Sequence, residues 1–319
     1  MSKQPQLPVA ETIKKKLTAE QKVRLNQLIE AFANKGDVLN FYPRHQNPKP
    51  IDTSHEDYDE KIGKLVQEFR DSLPKEIIDP VTEFGITLED IPILAVIINS
   101  DKLYHHREEA YGFAVLHAAV ALSALQQPAT VPLLINQLYK ATKFNDDYSI
   151  ELFPMLISSF GQSAIEPLIQ ANELCKDDLV KSLINQAIQA SATHDPSVLT
   201  QVKTYLVEQL QNYAKQSEFY NSTLISNMAD LGMVEQLPLI AEVYRHKKID
   251  PTYMGDMEDI EIEFGVRTKR DTPRPKYRPN DEKLADRQTM LYSLLEQLGQ
   301  DDEKDFQPKP LVKGIQRHF

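Results

Sequence analysis

Val131-Pro132-Leu133-Leu134, Glu166-Pro167-Leu168-Ile169 and Leu237-Pro238-Leu239-Ile240 are three versions of one phrase. The first two prolines lie 35 residues apart and the last two 71, close to twice that step. One step beyond Pro167 stands Gln201-Val202-Lys203-Thr204-Tyr205-Leu206, a copy without its proline. A period of about 30 to 45 residues marks stacked helix pairs, since each pair can bury its apolar face only against its neighbours. Proline is tolerated in the first turn of a helix, where its missing N–H has no intrahelical acceptor. Pro132, Pro167 and Pro238 are therefore expected to open the second helix of a pair. Thr87-Leu88-Glu89-Asp90-Ile91-Pro92-Ile93-Leu94, with its cap and early acids, places a further helix start 40 residues before Pro132 and reads as an atypical first repeat.

Working outward, residues 111–125 are so rich in Ala, Val and Leu that a helix there must be covered on most sides. Its partner is predicted at 131–140. Further pairs are predicted at 148–160 with 164–174, 178–190 with 197–213, and 221–231 with 235–244. Turns fall at Gly161-Gln162-Ser163, His194-Asp195-Pro196 and Gly232. Toward the N-terminus, Thr18 reads as an N-cap followed by Glu20 and Gln21. The stripe Val23, Leu25, Leu28, Ile29 and Phe32 follows, and Gly36 ends it. Residues 1–17 read as a polar, mobile arm, and 37–57 as an irregular connector with Phe41 and Tyr42 as its anchors. Two more stripes follow, Ile62, Leu65, Val66 and Phe69, then Ile77, Ile78, Val81 and Phe84. The expected architecture is all-α: an α-solenoid of helix pairs over 58–265, an N-terminal arm with one helix over 1–57, and a C-terminal arm over 266–319. That last arm holds a basic, proline-rich segment, an amphipathic helix at 282–298 and a tail.

Ser158-Ser159-Phe160-Gly161-Gln162-Ser163-Ala164-Ile165-Glu166-Pro167-Leu168-Ile169 resembles the Leu-Gly-x-x-Ala-x-x-Pro-Leu phrase of HEAT-like repeats of the PBS-lyase type, and Leu231-Gly232 through Ile240 resembles it again. Leu125-Gln126 departs by lacking the glycine, which leaves that turn's shape open. With Gly255-Asp256-Met257-Glu258-Asp259-Ile260-Glu261-Ile262-Glu263-Phe264-Gly265 after the last repeat, residues 75–265 resemble an uncharacterised bacterial HEAT-like family often found with a zinc-binding SEC-C tail. The cysteines of such a tail are missing, so the resemblance implies a fold and no zinc role.

A formal charge of −11 and a pI near 5.3 argue against a surface built for phosphate backbones. One cysteine, Cys175, excludes an intrachain disulfide and a paired-cysteine metal knuckle. The N-terminus lacks the apolar run of a signal peptide, so a cytoplasmic protein is expected, with no membrane partner. P-loop, nucleophile-elbow and dinucleotide glycine motifs are absent. No cofactor or catalytic residue is assigned.

The candidate partner surface is made of polar positions on the second helices: Asn136, Lys140, Gln170, Glu173, Glu242 and Arg245. An acidic face, Asp256, Asp259 and Glu263, has three readings: solvated surface, hard-cation site, or dock for the basic segment that follows. That segment is the candidate basic arm, Arg267, Arg270, Arg274 and Arg278, interleaved with prolines. Its readings are an intramolecular dock or free linker, a grip on an acidic protein, or a nucleic-acid contact, for which one aromatic residue, Tyr277, offers little base stacking. His105-His106 with Glu108 and Glu109 lacks the spacing of a metal pair and reads as a turn and helix start. His117 reads as an interior, hydrogen-bonded residue, and Cys175 as a thiol that a helix end and Lys176 could slightly activate but that lacks the paired His or acid of a nucleophile. The function expected is a non-catalytic scaffold binding a protein on the concave face of the array. The alternative is an enzyme or small-ligand protein using the groove as a pocket, by analogy with HEAT-like bilin lyases.

Overall fold

The computed structural model describes residues 7–10, 13, 16–36, 38, 41, 77–105, 112–273 and 275. Tyr42, the stripe at 62–69, His106, Glu108, Glu109, Arg274, Arg278 and the helix expected at 282–298 lie outside these, as does the His105 side chain. All regular structure among the described residues is helical. None of these helices is long and apolar enough to cross a membrane.

The chain divides into two compact units, 1–206 and 207–319, a boundary that falls inside the expected array. The first unit begins with α1 (Ala19–Lys35). Thr18 caps it through a reciprocal box with Gln21, and Gly36 follows its last turn. The short α2 (Pro80–Glu83) comes next, then α3 (Ile91–Ile98), α4 (Asp101–His105), α5 (Phe113–Ala124), α6 (Val131–Lys143), α7 (Asp147–Ser158), α8 (Gln162–Leu174) and α9 (Asp178–His194). α10 (Leu199–Gln211) contains the boundary. The second unit adds α11 (Glu218–Asp230), α12 (Leu237–Arg245), α13 (Pro251–Met254) and α14 (Met257–Glu263).

Packing in the first unit follows the apolar content of each helix. α5 is buried along nearly its whole length, and it touches α1, α2, α3, α4 and α7. α7 packs on α5, α6 and α9, and α6 also meets α3 and α8. Arg24 ties α1 to this core. Its guanidinium donates to the carbonyls of Phe84 and Gly85, both at 2.9 Å, and pairs with Asp90 at 3.4 Å. Those carbonyls lie at the end of α2, where the chain has acceptors without helical donors. Phe32, Phe41 and Phe84 enclose His117. Nε2 of His117 lies 2.8 Å from the Gly36 carbonyl. A carbonyl only accepts, so Nε2 carries the proton.

The phrase that set the period has one recurrent local form. Pro128–Thr130, Pro196–Val198 and Val234–Gln236 are single 3-10 turns that lead directly into α6, α10 and α12. Leu88–Asp90 does the same before α3. Pro92, Pro132 and Pro238 sit in the first two positions of their α-helices. In the copy that lacked a proline, Pro196 has moved into the turn itself.

Pro167 departs from expectation, for it lies inside α8 rather than opening it. The cause is Asp195. Its Oδ2 accepts from Gln162 N–H at 3.2 Å, and its Oδ1 accepts from Ser197 N–H at 3.1 Å. With that external cap, α8 starts straight after Gly161, and the turn that is 3-10 elsewhere becomes α-helix. A Cβ on Gly161 would stand 2.9 Å from Cβ and Oδ2 of Asp195, so glycine alone allows the approach.

The turn lacking glycine keeps its shape. Gln126 has φ +50°, beside +51° at Gly161 and +60° at Gly232. Its amide holds it there, donating to the Ser123 carbonyl at 2.7 Å and to Ser159 Oγ at 3.0 Å.

Candidate functional site

Four of the six residues placed on the candidate partner surface stand in the first unit, and two of those are already engaged by the chain itself. Asn136 is only 7% exposed. Its Oδ1 accepts the Leu7 N–H at 3.0 Å and its Nδ2 donates to the Leu7 carbonyl at 2.9 Å. The expectation of a polar arm over 1–17 is thereby corrected: Leu7 and Ile13 are 5% and 7% exposed. Pro8 disfavours the helical region for Leu7, which carries no helix and turns both its N–H and its C=O to Asn136. Sequence reading ranked this segment by its lysines and overlooked that signal.

Lys140, one turn from Asn136, caps α3. Its ammonium donates to the Asn99 carbonyl at 3.0 Å, pairs with Asp101 at 2.9 Å, and lies 6.0 Å from the Tyr104 ring. A cation at exposed C-terminal carbonyls is favourable on both hydrogen-bonding and dipole grounds. Gln170 and Glu173 on α8 are exposed. In the second unit Glu242 accepts from the Tyr213 hydroxyl at 2.9 Å, a bond that holds the phenol's pKa above its ordinary value. Arg245 is exposed.

The acidic helix α14 and the start of the basic arm are paired within the second unit. Asp256 is the N-cap of α14, accepting from Glu258 and Asp259 N–H, while Asp259 Oδ2 accepts from Asp256 N–H at 3.0 Å. Onto this box Arg270 lays both ends of its fork: Nη1 to Asp256 Oδ1 at 2.9 Å, Nη2 to Oδ2 at 2.6 Å, and Nη1 to Asp259 Oδ1 at 2.6 Å. Its hydrogen bond to Asp256 is the main reason that carboxyl titrates below its ordinary value. Arg267 pairs with Glu261 at 2.7 Å and with Asp271. Glu258 accepts from Asp271 N–H, Thr272 N–H and the Thr272 hydroxyl. The grouping Asp256, Asp259 and Glu263 is thus corrected. Glu263 is exposed, and Glu258 and Glu261 complete the set, because the arm crosses the first turns of the helix rather than one side of it. Among the described residues no group of three acids, histidines or cysteines could hold a metal.

Cys175 is buried, with Sγ 3.4 Å from the Asp177 carbonyl, and burial is the main cause of its raised pKa. The expectation of a slightly activated thiol is overturned by that desolvation, which disfavours the thiolate.

Sequence reading missed one further feature of the first unit. An open cleft of about 310 Å³ has Ile77, Ile78, Pro80, Val120, Met155 and Leu156 on its walls. Ser123, Gln126 and Ser159 line it too, joined by hydrogen bonds among themselves and to the Leu156 carbonyl. Apolar walls with a few convergent polar groups are the ordinary make-up of a small-molecule site, and the volume is at the low end of such sites. The residues come from turns and helices far apart in sequence, so no local motif announces them.

Compared with protein-family models, curated proteins and solved structures, the chain matches none.

Proposed function

We propose that the chain is a non-catalytic interaction scaffold, a HEAT-like α-solenoid whose second helices present a binding face to a protein partner. One observation carries this reading: Asn136, on the second helix of its pair, already holds an extended stretch of chain by its backbone. A helix face that can desolvate and satisfy a non-helical segment has the chemistry a protein ligand needs. The repeated 3-10 entrance to α3, α6, α10 and α12 supports the repeat reading, since it gives successive second helices the same start. The test is to compare partners captured from native lysate by the full chain and by a variant carrying Ala at Asn136, Lys140, Gln170 and Glu173. Loss of a specific partner supports the proposal. A variant that folds and keeps every partner removes it.

A second reading is favoured by the cleft between Ile77–Pro80 and α5 and α7: a small apolar ligand, with lyase-like chemistry the limiting case by fold analogy alone. Native mass spectrometry of the purified chain tests it. A retained compound lost on Met155→Trp supports a ligand site; a compound unaffected by that filling substitution counts against it.

A further inference from the structure

We propose that the α6 face around Asn136 is a backbone-reading peptide site, selective for an extended segment with an apolar residue before a proline, and that residues 7–10 are its tethered occupant. The proposal rests on the scaffold reading only for the choice of face.

A primary amide offers one acceptor and two donors. In extended backbone the N–H and C=O of one residue point the same way, so a single Asn side chain can bridge both. That is the geometry here, with Leu7 N–H at 3.0 Å from Oδ1 and Leu7 O at 2.9 Å from Nδ2. A helical ligand could not offer the same pair, because its N–H and C=O point in opposite directions and bond within the helix. The contact therefore reads conformation and leaves residue identity to two other features. The first is the Leu7 side chain, 5% exposed although its segment carries no helix. The second is Pro8, which biases the preceding residue toward the extended region and lowers the ordering cost of binding. Apolar residue then proline is thus the chemistry of the occupant, and a partner using the site must present it.

The occupant is tied to the fold at a nearby point. Ile13 is buried, 7% exposed, and Thr18 caps α1 eleven residues after Leu7. A segment on so short a tether acts at an effective concentration on the order of millimolar. A partner segment of equal affinity therefore displaces it only at a free concentration approaching that value. The site is consequently closed in the free chain and opened by whatever displaces its own N-terminal segment.

The test uses the full chain and a fluorescein-labelled synthetic peptide with the sequence of residues 4–13, read by anisotropy. Leu7→Asp makes burial of the tethered segment unfavourable, and Leu7→Ala, which only shortens the side chain, is the milder release variant. Release is expected to raise peptide affinity at least tenfold over the unaltered chain. Adding Asn136→Ala to the released chain is expected to lower it again roughly tenfold or more, the worth of two buried hydrogen bonds. A peptide N-methylated at its leucine keeps the side chain and loses the N–H, and it should show a loss of similar size. Equal binding to unaltered and released chains, or an N-methylated peptide that binds as well as its parent, overturns the proposal. Either result withdraws the Asn136 contact as support for the scaffold reading, whose own test, partner capture, is read independently of this peptide.

Discussion

Two glycines flank α14, and substituting each with alanine separates steric approach from backbone conformation. Gly265, with φ +70°, has nothing within 4 Å of a built Cβ. Gly265→Ala should therefore cost only the left-handed penalty, about 1 to 2 kcal/mol. Gly255 has φ +73° and ψ −153°, a region open essentially to glycine alone, worth about 1 to 3 kcal/mol. Its Cβ would also stand 2.2 Å from Asp259 Oδ2 and 2.7 Å from Cγ, so Asp259 must swing away. That motion breaks the capping bond to Asp256 N–H, about 1 kcal/mol, and a charge-assisted bond to Arg270, about 1.5 to 3 kcal/mol. Gly255→Ala is thus expected to destabilise α14 by roughly 5 kcal/mol, well beyond Gly265→Ala. Hydrogen exchange of the Ile260 and Phe264 amides, whose acceptors are Asp256 O and Ile260 O, reads the helix directly. An Asp259→Ala background removes Oδ2 and Cγ but keeps Cβ, which a Cβ on Gly255 would meet at 2.8 Å. There Gly255→Ala should lose the capping and Arg270 contributions, roughly 3 kcal/mol, and keep the backbone cost with a residual clash. Equal effects of the two glycine substitutions would refute the reasoning, as would the same Gly255→Ala cost in both backgrounds.

Arg270→Ala leaves Asp256 and the mostly buried Asp259 without their cation, so α14 exchange should quicken by the equivalent of about 2 kcal/mol. Arg270→Lys should not restore it, because an ammonium cannot reproduce the fork. Asp256 titrates below its unfolded value, so its contribution is complete above about pH 4 and is lost as pH falls through the lower folded value. Corrected exchange of α14 should accordingly stay flat from pH 7 to 5 and rise only in stronger acid; a rise between pH 5 and 7 contradicts the pairing. The buried Cys175 should resist thiol reagents in native buffer at pH 8 and react on unfolding; native labelling at the rate of a free thiol would show that burial does not control it. At Gln126, Gly relieves left-handed strain but loses two amide bonds, so Gln126→Gly should change stability by less than about 1 kcal/mol in chemical denaturation. Gln126→Val gains nothing and should cost about 2 kcal/mol or more, and similar costs for both would undo the account of that turn.

The sequence by itself determined the helical class and most of the helix starts. Those features are local: a proline in a first turn, a Thr18–Gln21 capping box and an apolar period each act within a few residues and leave a readable pattern. It also placed His117 correctly in the interior, since a lone histidine in an Ala-, Val- and Leu-rich helix has few other places to go. What only tertiary structure decided were meetings between distant residues. Asp195 capping α8 from the next turn moved Pro167 into the helix interior, and Leu7 found Asn136 across 129 positions. Arg270 chose Asp256 and Asp259 over Glu263, and Cys175 proved desolvated rather than activated. Polar side chains read alone look alike on any exposed face. Which of them becomes a clamp, a cap or free surface depends on the backbone group that packing brings within 3 Å, and no spacing along the chain encodes that.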